Sequence, residues 1–143
     1  MNEPATKANL WVTFGPDDRP GYVLSGHCDT VPVDGQSWSH DPFKLTSMNG
    51  YYIGRGVVDM KGFLAVCLAL APHMAAAQLK IPIHLAISYD EEVGCLGVRS
   101  MLRALAGRAC QPLGCFVGEP TNMAVVVGHK GKRAFITISP SPA

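Results

Sequence analysis

Apolar and polar positions fall into blocks along the chain, and each block has its own period. Leu10-Trp11-Val12-Thr13-Phe14 and Tyr22-Val23-Leu24-Ser25-Gly26 are short, β-rich runs separated by Gly15-Pro16-Asp17-Asp18-Arg19-Pro20-Gly21. They predict two neighbouring strands joined as a hairpin. The second run stays almost wholly apolar until His27, the pattern of a strand buried on both faces whose C-terminal end opens on a cleft. Residues 32–50 hold Pro32, Asp34-Gly35, Asp41-Pro42 and Asn49-Gly50 and keep no period. They predict a long irregular loop, and loops of that length are often functional. Tyr51-Tyr52-Ile53 predicts a short extended segment leading into Gly54-Arg55-Gly56.

From Met60 the period becomes helical, with Phe63, Val66, Cys67, Leu70 and Met74 at spacings of three and four. The residues between them are apolar too, so the helix is expected to be mostly buried, with Pro72 kinking or dividing it. Ile81 to Tyr89 predicts another buried strand, with Pro82 near its start, and it ends in Asp90-Glu91-Glu92. A second helix is expected from Leu96 to Leu105, with Val98, Met101, Leu102 and Leu105 on its core face and Gly107 as its stop. Cys115-Phe116-Val117-Gly118 reads as a strand ending at Glu119-Pro120, and Met123 to Val127 as a further strand. Strands alternating with buried helices describe an α/β domain with helices on both faces of a sheet, whose ligands gather outside the C-terminal strand ends. His27, Asp90-Glu91-Glu92 and Glu119 all lie at such ends, and Asp59 lies at a loop-to-helix junction.

Composition narrows the class without naming it. The chain has 143 residues, 48% hydrophobic and 16% charged, with a net charge of +1. One globular core is expected, and no charge excess calls for nucleic acid or an anionic membrane. Five cysteines form no Cys-x-x-Cys pair, which favours a reducing compartment. The first residues show no secretory pattern, and the longest apolar run, Phe63 to Leu79, is shorter than the roughly 20 residues of a membrane span. A soluble, cytoplasmic protein is expected.

An imidazole and several carboxylates brought together at strand ends suit a hard or borderline cation such as zinc, cobalt or manganese. Taken singly the signals have plain alternatives: Asp90-Glu91-Glu92 as a solvated helix start, Glu119-Pro120 as a turn, His84 as a core histidine and His73 as a surface one. Four segments read together are specific. Gly26-His27-Cys28-Asp29-Thr30-Val31-Pro32, Arg55-Gly56-Val57-Val58-Asp59-Met60-Lys61-Gly62, Asp90-Glu91-Glu92-Val93-Gly94 and Gly118-Glu119-Pro120-Thr121 resemble, in that order, the dinuclear zinc amidohydrolase and metallopeptidase family of acetylornithine deacetylase, succinyl-diaminopimelate desuccinylase and aminoacylase. The resemblance runs from about Leu24 to Lys132. Val33 to Ser39, Asp41-Pro42-Phe43, Ser88 to Arg99 and His129-Lys130-Gly131 are most similar to the bacterial acetylornithine deacetylases of that family.

The resemblance implies a zinc-exopeptidase-like catalytic domain with a mixed, mostly parallel sheet, incomplete in this chain. Residues 1–132 would be a partial metallohydrolase catalytic domain, and 133–143 a tail where a dimerisation domain would begin. It implies two zinc ions, with cobalt as a substitute: His27 and Glu119 on one, Glu92 on the other, Asp59 bridging. Glu91 would be the general base, and Asp29 would hold the far nitrogen of His27. The family also has a non-proline cis peptide after the bridging aspartate, here Asp59-Met60. The implied reaction is hydrolysis of a linear amide in an N-acyl amino acid, N-acetylornithine of arginine biosynthesis first, by a homodimer when complete. Desuccinylase or aminoacylase chemistry and a non-catalytic metal-binding or interaction module are the alternatives. A family histidine ligand from the C-terminal part of the catalytic domain has no counterpart here, so the chain alone is expected to be weak or inactive.

Overall fold

The computed structural model of the chain describes residues 6–128, 130 and 131. In chain order the elements are β1 (Leu10–Phe14), β2 (Tyr22–His27), β3 (Thr46–Met48), β4 (Tyr51–Ile53), α1 (Gly62–Ala76), β5 (Ile83–Ser88), α2 (Val98–Leu105) and β6 (Gly114–Val117). One sheet runs in the order β1-β5-β2-β6, with β5, β2 and β6 parallel and β1 antiparallel on β5. The expected hairpin between β1 and β2 does not form, because β5 lies between them. Leu85 and Ala86 are almost completely buried, so β5 takes a position with neighbours on both sides. Residues 15–21 then bridge a step of two strands, roughly 10 Å.

Parallel pairing is what assembles the site. His27 is in register with Ser88, so β2 ends beside the turn that carries Glu91 and Glu92. The Cys28 amide donates to the Ser88 carbonyl at 2.9 Å, and the Gly118 amide to the Ser25 carbonyl at 3.1 Å, which brings Glu119 to the same edge.

The sheet is covered on both faces. On one, Phe14, Cys67 and Leu85 form a core with Leu24, Phe63 and Met74; on the other, Val23, Ala86 and Met101 pack with Trp11, Val98 and Leu105. The α1 helix is not mostly buried as its composition predicts. Leu64 and Cys67 are 6% and 3% exposed, whereas Val66 is 59% and Leu68 53% exposed. Only one stripe of a helix can face a sheet, and the described residues bring no second layer over the other. Pro72 does not divide the helix, which runs through to Ala76. The carbonyl it deprives of a donor belongs to Leu68, on the exposed side where water can serve.

Other expectations change in detail. The segment 32–50 is not irregular throughout: Thr46–Met48 pairs with Tyr51–Ile53 across Asn49 (φ 52°) and Gly50 (φ 80°), an Asn-Gly turn of the tight hairpin type. Met123 to Val127 forms no strand among the described residues and lies exposed. The second helix starts at Val98 rather than Leu96, and Leu102 is exposed. Of the cysteines, Cys67 is buried, whereas Cys28, Cys95 and Cys115 are exposed. The stretch Val57–Ala76, with 20 residues, is long and apolar enough to cross a membrane by length and composition, although Asp59 and Met60 interrupt it with non-helical backbone and the shorter run read from sequence does not reach that length. It packs against β2 and β5 here and carries Asp59 and Lys61 in its first turn. The segment 133–143, together with Lys132 and His129, lies outside the described residues.

Candidate metal centre

His27 closes β2 with its ring 2% exposed, and carboxylates surround it. Its Nε2 lies 3.1 Å from Asp59 Oδ1, 3.5 Å from Glu119 Oε1 and 3.8 Å from Glu91 Oε2. Its Nδ1 is 3.0 Å from the Asp29 carbonyl and 3.4 Å from Asp29 Oδ1. The Asp29 carboxylate is engaged elsewhere as well: Oδ1 accepts the Glu91 amide and Oδ2 the Glu92 amide, both at 3.1 Å. One aspartate therefore orients the imidazole and ties down the turn that presents two glutamates.

Asp59 arrives on a wide turn, Val57–Lys61, in which the Lys61 amide reaches back to the Gly56 carbonyl at 2.8 Å. Gly56 has φ of +77°, and a Cβ there would lie 2.4 Å from the Thr30 side chain, so only glycine serves. The Asp59-Met60 peptide is cis, as the resemblance implies. Met60 is fully buried, and its sulfur accepts the His27 backbone N–H at 3.4 Å. The Lys61 ammonium donates to the Cys28 carbonyl, fixing the turn against the end of β2. Behind it Arg55 lies over the Trp38 ring at 5.1 Å and donates to Gln36 Oε1, pinning the long loop to the same turn.

The Glu91 carbonyl accepts the Gly94 and Cys95 amides at 2.9 Å, and the Cys95 thiol donates to Glu91 Oε1 at 3.3 Å. That leaves Oε2 facing His27. Glu119 follows Gly118, where a Cβ would meet the Phe63 ring at 2.1 Å; close packing of β6 on α1 requires the glycine. Cys95 and Met60 are contacts that sequence reading misses. The thiol reaches Glu91 only because Cys95 itself turns into the left-handed region, at φ 54°.

Crowded charge shows in the titration of the groups. Burial pushes His27 down, but the charges of Glu119, Asp29 and Glu91 outweigh it and raise its pKa above the ordinary value. Burial, then the neighbouring Asp59 charge, raises Glu119. Burial opposes ionisation of Asp29, yet the two amide donors hold its carboxyl below the usual range. Two sets of donors, His27 with Glu91 and Glu119 and His27 with Asp59 and Glu92, have ligand atoms within 4.8 Å of one another. In each set an imidazole and two carboxylates at this spacing fit a divalent cation, which removes the repulsion that the bare cluster carries. Cavities of about 590 Å³ beside Glu91 and Glu119 and about 220 Å³ beside Asp59 and Glu92 flank the cluster. His40, half-buried, and His73, exposed, stand apart from it, while His84 is buried and bonded to Thr13 Oγ1 at 3.0 Å.

A mostly parallel sheet with a histidine and carboxylates gathered at its strand ends defines an α/β domain carrying a candidate metal site. The sequence profile of Peptidase family M20/M25/M40 matches residues 23–138, and the chain belongs to that family. It is 38% identical over 125 residues to acetylornithine deacetylase of Pasteurella multocida, covering 87% of this chain and 32% of that protein. With acetylornithine deacetylase of Buchnera aphidicola subsp. Schizaphis graminum it is 38% identical over 131 residues, covering 91% and 33%. Human carnosine dipeptidase 1 superposes with a TM-score of 0.57 at 33% identity, over 70% of this chain and 22% of that one. An M20 metallo-carboxypeptidase, Sso-CP2 of Sulfolobus solfataricus, has a TM-score of 0.60 at 20% identity, over 77% and 25%, and speaks for the fold alone. The chain thus spans about a third of the length of the curated relatives it matches. Family membership implies a metal cofactor.

Proposed function

We propose that this chain forms the metal-holding part of an amidohydrolase for linear N-acyl amino acids, with N-acetylornithine as the favoured substrate, in arginine biosynthesis in the cytoplasm. The observation that carries the chemistry is the convergence of Asp29, Asp59, Glu91 and Glu119 on the single buried ring of His27. The substrate assignment rests on the deacetylase relatives. His27, Asp59 and Glu119 would hold one zinc ion, and Asp59 with Glu92 a second; cobalt suits the same donors. When bound, the metal supplies positive charge that acidifies a neighbouring water and polarises the amide carbonyl.

The protein groups do the rest. Glu91, with Oε1 tied to Cys95 and Oε2 facing the cluster, takes a proton from the attacking water. The water oxygen bonds to the acyl carbon, the C–N bond breaks, and Glu91 returns the proton to the departing amine. Asp29 keeps His27 and the Glu91-Glu92 turn in place throughout. Turnover by the chain alone is expected to be slow, and a homodimer is expected for the longer family enzyme.

The test is hydrolysis of N-acetylornithine, N-succinyl-diaminopimelate and an unsubstituted dipeptide by the zinc-loaded chain, alongside Glu91→Gln. The acetyl substrate should be preferred, and Glu91→Gln should cut turnover by about 10²–10⁴-fold while keeping its zinc. Preference for another substrate removes the deacetylase assignment, and undiminished turnover removes Glu91 from its role.

A further inference from the structure

A second cavity, of about 330 Å³, lies between α2 and the sheet, and no carboxylate of the metal centre lines it. Its volume is at the lower end of the roughly 300–1,000 Å³ typical of small-molecule sites. Val23, Ala86, Met101 and Leu105 give it an apolar lining, while the rings of Trp11 and His84 stack at 4.9 Å and 27° beside them. Two donors there, one buried and one on an exposed side chain, have no protein partner among the described residues. The Trp11 indole N–H is buried without a partner, and the Arg108 guanidinium has neither hydrogen bond nor ion pair among the described residues. The other lining arginine, Arg19, is already held by Asp18 at 2.8 and 3.2 Å, and Asp17 is the acid in the lining. His84 is engaged with Thr13 through Nδ1. A buried donor without an acceptor beside an unpaired cation, both set against apolar surface, favours a ligand with one anionic end and an apolar body.

We propose that this cavity binds a small amphipathic carboxylate, its body between α2 and the sheet and its carboxylate accepting from Arg108 and the Trp11 indole. The site is independent of the metal centre and of the reaction assigned to it. A phosphate would bring more charge than one guanidinium can match, and a neutral apolar ligand would leave both donors unsatisfied.

Trp11 reports on it directly. The chain has two tryptophans, so Trp38→Phe leaves Trp11 as the single indole. In that background 3-phenylpropionate should change the Trp11 emission saturably. Its neutral counterpart 3-phenylpropanol should bind at least about tenfold more weakly, for want of the charge-assisted bond. Arg108→Gln should weaken the acid by about tenfold and leave the alcohol unchanged, Arg108→Lys should recover part of the loss, and Asp17→Asn should strengthen the acid. No saturable change, equal affinity for acid and alcohol, or indifference to Arg108→Gln in a chain with an unaltered circular-dichroism spectrum would overturn the proposal.

Discussion

At Asp29 a single carboxylate accepts two backbone amides and stands 3.4 Å from the far nitrogen of His27. Asp29→Asn keeps the size but replaces one acceptor oxygen with a donor, so one of the two amides loses its partner. The chain should lose about 1–3 kcal/mol of stability without metal. Zinc should bind about 10–100-fold more weakly, as for other groups that orient a ligand. Thermal unfolding of the metal-free chain and a zinc titration measure the two effects; a variant unchanged in both would show that Asp29 orients nothing. Residue identities at strand ends were readable because a histidine or a pair of glutamates after an apolar run is conspicuous. The Asp29 clamp on the 91–92 amides was not, since backbone donors leave no mark in a sequence. The Cys95 contact depends on one left-handed residue, which only the folded turn reveals.

Elements were legible where their period was unmixed. β2, β5 and β6 fall close to the runs that predict them, whereas the place of β1 beside β5 is a matter of pairing, which periodicity does not encode. In α1 the near-continuous apolar composition hid which stripe faces the sheet. Leu64→Ala, in the buried stripe, should cost about 2–5 kcal/mol, while Leu68→Gln, on the exposed side, should stay within about 0.5 kcal/mol. Urea unfolding separates them, and equal losses would mean that α1 is covered on both sides. On β5, burial and then the Arg108 charge lower the pKa of His84 below its ordinary value of 6.5. The unfolded chain then takes up this proton more readily, so the contribution of His84 to stability is full above 6.5 and is lost as pH falls towards and through the folded value. His27, raised in the folded state, acts in the opposite sense. The difference between the chain and His84→Gln cancels it. That difference in unfolding free energy should shrink from about pH 7.5 to about pH 5.5, a range that spans the histidine titration; a constant difference would contradict the assignment of a neutral, buried His84.

Across the whole molecule, three parallel strands deliver His27, the Glu91-Glu92 turn and Glu119 to one edge, and the wide turn before α1 adds Asp59. The family was legible from four short segments because each of them sits at this edge. The substrate was less so, because the chain spans about a third of its relatives' length. The central claim is that the cluster is a metal centre built on His27. Zinc titration of the chain, His27→Ala and Asp59→Ala, with circular dichroism to verify folding, tests it most directly. At least one equivalent should bind tightly to the parent chain and be lost from both folded variants. A parent chain that binds no zinc, or a folded His27→Ala that binds it undiminished, would contradict the account.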